Sequence, residues 1–486
     1  MKIKVLAALV ACALLGVGCS SGDDGVFDSQ TTTTSDEPDD HSGHNGNVEL
    51  EVDIDEPIRP MRSNDEREPV ANDADTVMIA AAIDVGAFWE DAYPEVYGDD
   101  LPPLEGGFWS YGPSTPADEL PTCGGPVQYD EIAQNAFYCS VDDLIAWDRD
   151  ALVEPFIDEW GAFTAALVMA HEYGHAIQAR SGDNETLPQV VLELQADCFA
   201  GSWVGHVADG NSDIFEATLA EIDLAIAGLL SIRDVPGSSP DDPSAHGSGF
   251  DRVSAFSDGL FSGVGRCGDY GEVPPVVTQE VFTSEDDAAS GGNLTPEQLL
   301  PLLYADLEDF YTQTFASTGR TWVAVADIVF YDPDVDDVTC GELEVSADEA
   351  TNAIFYCIDD NVVLADGVGL MPDLADIGDF AVATEIARQW AFAAQVQMGN
   401  LENTVGTSLH ADCLTGLYAG DVFFQLRESA QLQLSPGDLD EAIMGFLLGG
   451  AVGEEGTTGT AFQRTDAFRT GFLGTETDCE ALLDTN

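Results

Sequence analysis

At 486 residues with 44% hydrophobic side chains, the chain is long enough for more than one core and apolar enough for most of it to fold. Fifteen Lys and Arg stand against 90 Asp and Glu, a formal net charge of -75, which argues against nucleic acid or anionic membrane surfaces as partners. Both lysines, Lys2 and Lys4, lie in the first four residues, and the excess of carboxylates keeps the lysine-free rest hydrated, a matter of solubility and not of chemistry.

Met1 to Lys4 carry positive charge, Val5 to Val17 are mostly apolar, and small residues lead to Cys19. This pattern predicts a lipoprotein signal over residues 1–18, with Cys19 bearing the lipid. Leu9-Val10-Ala11-Cys12 fits the usual cleavage motif better, but cutting there would leave a very short apolar core; cleavage and release without a lipid is the alternative. The chain is thus expected to be exported and anchored to the outer face of a bacterial membrane. Residues 19–72 are rich in Ser, Thr, Asp and Gly and read as a flexible tether, in which His41 and His44 are solvated. The apolar run from Ala442 to Val452 has the length of a buried helix and cannot span a bilayer.

Two segments of the remainder resemble each other. Thr122-Cys123-Gly124, then Asn135-Ala136-Phe137-Tyr138-Cys139, then Ala196-Asp197-Cys198 are followed by Arg252 and Cys267. Thr339-Cys340-Gly341, then Asn352-Ala353-Ile354-Phe355-Tyr356-Cys357, then Ala411-Asp412-Cys413 are followed by Arg464 and Cys479. Four cysteines per copy in an exported chain are expected to be oxidised. Spacing alone does not give connectivity; the expectation is pairing within each copy, Cys123 with Cys139, Cys198 with Cys267, Cys340 with Cys357, and Cys413 with Cys479. No CxxC pair offers a competing zinc site. The reading is therefore a domain over residues 73–272, a Pro- and Gly-marked linker over 273–293, and a second domain over 294–486. Thr295-Pro296-Glu297-Gln298 predicts the helix that opens the second copy, with a capping Thr and Gln.

Within the first copy, Ala165 to Gln178 predicts a buried helix on which His171 and His175, four apart, share one face. Two imidazoles one turn apart can grip one zinc ion, while Glu172 reaches a water instead of the metal. Glu193, on a second helical segment, completes three protein ligands, and Asp197 one turn later is placed to accept a hydrogen bond from a ligand imidazole.

These residues resemble the bacterial neutral zinc metallopeptidase family: the Cys-Gly and Phe-Tyr-Cys pair, His-Glu-x-x-His-x-x-Gln, Glu-Leu-Gln-Ala-Asp-Cys-x-Ala-Gly, and the His-Gly, Arg and Cys that follow, over about Val85 to Cys267. More distantly, Glu-x-x-x-Asp after the HExxH helix is similar to the gluzincin clan. The resemblance implies an α+β fold of two tandem zincin-like domains, mainly helical with a small sheet, the second lacking the metal site. It also implies that His246 donates to the oxyanion while Arg252 supports the local structure.

The function read from this pattern is zinc-dependent hydrolysis of a polypeptide substrate, with Glu172 as general base and the peptide docked along Leu144-Ile145-Ala146-Trp147 as an edge strand. The alternative is a non-catalytic binding or assembly lipoprotein with a structural zinc. In the second copy Arg388 and Phe392 stand opposite His171 and His175, Ser408 opposite Glu193, Thr458 opposite His246, and His410 opposite Gln195, so that copy is expected to keep the scaffold without the metal. His206 and the stretch Asp332 to Asp337 read as solvated surface.

Overall fold

In a computed structural model of the chain, residues 73–400, 403–449 and 458–484 are described. The signal, Cys19, the tether and His41 and His44 lie outside these residues. The first copy opens with α1 (Asp73–Tyr97) and a three-stranded sheet, β1 (Gly107–Tyr111), β2 (Ala136–Cys139) and β3 (Leu144–Asp148). Five helices follow: α2 (Glu154–Trp160), α3 (Ala162–Ser181), α4 (Gln189–Ala208), α5 (Leu219–Ser231) and α6 (Gly249–Gly268). The second copy repeats this order with α7 (Pro296–Ser317), β4 (Ile328–Tyr331), β5 (Ile354–Cys357), β6 (Val362–Asp366), α8 (Leu370–Ile377), α9 (Asp379–Met398), α10 (Val405–Phe423), α11 (Asp438–Gly449) and α12 (Ala461–Leu473). The described chain is mostly helical with small sheets, an α+β architecture. No helix among the described residues is long and apolar enough to cross a membrane.

Each three-stranded sheet has the same order, β1-β3-β2 and β4-β6-β5, with one parallel and one antiparallel pairing about the central strand. Leu144–Asp148 is therefore a central strand and not the edge expected from the sequence. All five of its residues are buried, because a run without polar alternation suits a strand covered on both faces. The edge strands on its two sides are β1 and β2.

The loop before β2 is held in the same way twice. Tyr111 donates its hydroxyl to the Ile132 and Asn135 carbonyls, and Tyr331 to those of Ala350 and Ala353. Gln134 and Asn352, both at positive φ, donate their N–H groups to the buried Asp148 and Asp366. The structural match is thus Gln134 to Asn352, in register with Cys139 and Cys357, and the shared Asn-Ala dipeptide is shifted by one residue between the copies.

The four disulfides are Cys123–Cys139, Cys198–Cys267, Cys340–Cys357 and Cys413–Cys479. Their separations of 16, 69, 17 and 66 residues correspond to roughly 3–4 kcal/mol each of restricted unfolded-chain freedom. The longer pair pins α4 to α6 in the first copy, and in the second pins α10 to the short helix Glu476–Glu480 that follows α12; α4 and α6, like α10 and α12, touch backbone to backbone. A Cβ at Gly259 would sit 1.8 Å from the Cys198 carbonyl oxygen, and one at Gly471 would sit 1.8 Å from that of Cys413. Only glycine permits this approach.

The copies pack on each other with reciprocal contacts. Phe250 meets Phe468 (centroids 6.2 Å) and Phe256 meets Phe462 (6.3 Å), where Phe250 corresponds to Phe462 and Phe256 to Phe468. Likewise the Phe250 N–H donates to Asp440 and the Phe462 N–H to its counterpart Asp223, each at 2.8 Å. Such exchange is the mark of a twofold, self-complementary interface. The segment between the copies is no loose linker: Thr278 and Gln279 donate backbone N–H groups to the buried Asp251, and Glu285–Ser290 forms a short helix. The capping box read at Thr295 and Gln298 is formed and starts α7.

Candidate metal centre

α3 runs from Gly161, at φ 86°, to the left-handed Gly182, and its alanines and leucine bury it on nearly every face. His171 and His175 leave it one turn apart. α4 begins after Pro188 and brings Glu193 and Asp197 to the same place. The His171 and His175 Nε2 atoms lie 3.2 Å apart, and the Glu193 carboxylate is 3.3 Å from the first and 3.5 Å from the second. The opposite nitrogens are anchored: His171 Nδ1 to Asp197 Oδ1 at 2.8 Å, His175 Nδ1 to Gln178 Oε1 at 2.9 Å. With both Nδ1 atoms donating, two Nε2 lone pairs and a carboxylate face one another, an arrangement that requires a shared proton or a metal ion.

Zinc fits this donor set. Nitrogen and oxygen ligands at 2.0–2.2 Å with tetrahedral angles stand about 3.3–3.5 Å apart, the spacing of these three groups. The groups behind the ligands are themselves held: Asp197 by the bidentate Arg252 guanidinium at 2.8 and 2.9 Å, and Glu193 by Gln189, which donates to it at 2.8 Å. Arg252 donates further to the Ile232 carbonyl.

Burial by itself would lower the His171 imidazole, but the charge and hydrogen bond of Asp197, with Glu193, push it up to about 10. His175 is raised against burial by Glu193, and the two imidazoles hold Glu193 well below its usual value although burial opposes this. In the metal-free protein the two carboxylates therefore favour protonation of His171 at neutral pH, because the site demands positive charge. That contribution is full below pH 6.5 and is lost as pH rises through about 10. Zinc binding must expel the protons, so zinc affinity, measured by competition with a chromophoric chelator, is expected to tighten about tenfold per pH unit per proton displaced between pH 6 and 8. A flat profile would contradict it.

Glu172 stands apart from the triad. Its Oε2 accepts the Tyr138 N–H at 2.8 Å, and burial raises its pKa against the pull of both imidazoles. Because that N–H points to Glu172, the outer edge of β2 faces the centre, so the strand beside the site is β2 and not Leu144–Trp147. The sequence reading did not assign Gln178 or Gln189; Gln178 lies three residues after His175, and also donates to the Leu192 carbonyl at 2.6 Å.

His246 does not join the triad through any hydrogen bond in the structure. Its N–H donates to Asp234, and its ring Nδ1 lies 3.4 Å from the same carboxylate. The adjacent Gly247 packs on Leu194, next to Glu193, which brings this loop alongside the centre.

The second copy retains the frame and fills the centre. Arg388, opposite His171, donates to Asp412 and Ser408 at 2.6 Å each and lies over the Phe392 ring, which stands opposite His175. Arg464 pairs with Asp412 and with Glu385, while Gln395 donates to the Thr407 carbonyl as Gln178 does to that of Leu192. A guanidinium thus stands in the region the metal would take. His410 is buried, hydrogen-bonded to Gln395, with burial lowering its pKa to about 4. Elsewhere, His206 is half-buried against Phe88 and not simply solvated, whereas Asp334, Asp336 and Asp337 are exposed.

Residues 122–270, within the first copy, match the model of the family described as "Putative neutral zinc metallopeptidase". The chain is 30% identical over 151 residues to the uncharacterized protein Rv2575 of Mycobacterium tuberculosis, covering 26% of this chain and 52% of that protein. It is 30% identical over 160 residues to the uncharacterized protein YpfJ of Escherichia coli, covering 28% and 54%. The chain spans about half the length of these curated relatives. No solved structure matches it significantly.

Proposed function

We propose that the chain is a zinc-dependent metalloendopeptidase, exported and lipid-anchored through Cys19, built of two tandem zincin-like domains with chemistry in the first (residues 73–272) alone. The observation that carries this reading is the separation of roles at the centre: three ligand atoms converge, while Glu172, between the two histidines in sequence, is turned away to the β2 edge. A structural zinc site has no use for such a carboxylate.

His171, His175 and Glu193 would hold the ion, which supplies Lewis acidity toward a scissile carbonyl and toward water. Asp197 and Gln178 fix both imidazoles with Nδ1–H outward, so that Nε2 is always the donor. An extended peptide adds to the free edge of β2, where backbone pairing aligns it beside Glu172. The Glu172 carboxylate takes a proton from the attacking water and passes it to the leaving nitrogen. His246, its ring oriented by Asp234, is the candidate donor to the oxyanion. The second copy covers and braces the first through the reciprocal phenylalanine interface.

Incubating the exported body with unstructured polypeptides is expected to give cleavage that a chelator abolishes and that one equivalent of zinc restores. Chelator-insensitive cleavage would refute the zinc mechanism, and zinc-loaded protein that cleaves nothing would favour the binding lipoprotein.

A further inference from the structure

A second group of potential ligands lies in the copy without the zinc site. Asp379, the first residue of α9, and Asp438 and Glu441, in the first turn of α11, bring one carboxylate oxygen each within 4.8 Å of the others. One oxygen of each is anchored by a backbone N–H: Leu294 to Asp379 Oδ2 at 2.8 Å, Ser435 to Asp438 Oδ2 at 2.8 Å, and Phe380 to Glu441 Oε2 at 2.9 Å. The opposite oxygens of the aspartates are not satisfied. Asp438 is only 5% exposed, yet its Oδ1, like that of Asp379, is buried without a hydrogen-bond partner among the described residues.

Among the described residues no arginine is paired with these carboxylates. The arginines in this part of the molecule are engaged elsewhere, Arg233 with Asp440, Arg388 and Arg464 with Asp412, and Arg427 with Asp306. Two helix N-termini provide partial positive charge, about half a unit each, against three carboxylates. Burial, reinforced by the charge of Asp379, raises the pKa of Asp438 and Glu441, and burial raises that of Asp379. Glu441 also lies where a Cβ on Gly378 would overlap it, so glycine there makes room for the carboxylate.

The group belongs to the second copy alone. In the register that equates His171 with Arg388 and Asp223 with Asp440, the matching first-copy residues are Ala162, Glu221 and Leu224. Two of the three carboxylates are thus absent where the zinc centre is present.

We propose that Asp379, Asp438 and Glu441 bind a calcium ion. The donors are oxygen only, which excludes a soft or imidazole-preferring metal, and a cage of three protein carboxylates suits calcium better than magnesium, which usually keeps most of its water and takes one or two. The ion would join the starts of α9 and α11 to each other and, through Asp379 and Leu294, to the segment that connects the copies. The degenerate copy then has a metal of its own, used as a brace.

The test uses zinc-loaded full-length protein freed of calcium over a chelating resin and resupplied with zinc, comparing wild type with the Asp379→Asn, Asp438→Asn double variant. Calorimetric titration is expected to show one tight calcium per wild-type chain and none in the variant. Calcium should raise the wild-type melting temperature by about 5 °C or more. Without calcium the variant should melt no lower than wild type, since the substitutions remove like-charge repulsion. Equal calcium responses in the two proteins would assign the binding to surface carboxylates and overturn the proposal. An unresponsive wild type would overturn it as well, leaving the three carboxyls to share protons. Neither result depends on peptidase activity.

Discussion

Replacing Glu172 by Gln is expected to lower peptide hydrolysis by about a thousandfold while zinc stays bound at one ion per chain. The substitution keeps size and one carbonyl oxygen, so the hydrogen bond from the Tyr138 N–H can persist and β2 stays in place. It removes the ability to accept a proton. Burial raises the carboxylate toward the range where it can both take a proton from water and release it, and an amide does neither. Metal analysis together with initial rates on an unstructured peptide separates the effects. A Glu172→Gln protein that keeps wild-type turnover would remove this residue from the chemistry. One that loses its zinc would show Glu172 to be part of the ligand set instead.

Asp197→Ala is expected to reduce stability by about 3–5 kcal/mol and zinc affinity by about 10- to 100-fold. Asp197 is fully buried and joins two groups: it receives the His171 ring and both arms of the Arg252 guanidinium. Truncation leaves that buried guanidinium without its carboxylate and frees the imidazole to rotate. Urea unfolding of the metal-free protein isolates the first loss from the second. Unchanged stability there would mean that Arg252 finds another partner. The matching Asp412→Ala change in the second copy is milder in one respect, because Glu385 remains on Arg464.

The convergence of His171, His175 and Glu193 was legible in the sequence because the histidine spacing is set by a helix. Residues four apart share a face whatever surrounds them, and few histidines were available for confusion. The cysteine pairs were legible because the repeat supplied the pairing twice. What depended on the sheet was not. Leu144–Trp147 reads as a strand, but an unbroken apolar run does not say which neighbours flank it, and the answer was both sides. That β2 faces the centre rests on one contact between Tyr138 and Glu172, 34 residues apart, with no local trace. Gln178 was visible as part of a motif, yet its contact with His175 depends on its side-chain conformer. The acidic group at Asp379, Asp438 and Glu441 was beyond reach for the same reason, since only the docking of α9 on α11 assembles it.

The reciprocal Phe250–Phe468 and Phe256–Phe462 contacts have a consequence for how the molecule stays assembled. A face that recognises its own counterpart would, on separate chains, associate only as far as concentration allows. Here one chain carries both halves, and the connecting segment holds each at an effective concentration on the order of millimolar near the other. Association no longer depends on dilution in the medium, and the aromatic face of the first copy is covered as soon as the chain folds. The same tether leaves the halves free to diverge, because the shared face asks for phenylalanines and an aspartate and nothing of the histidines.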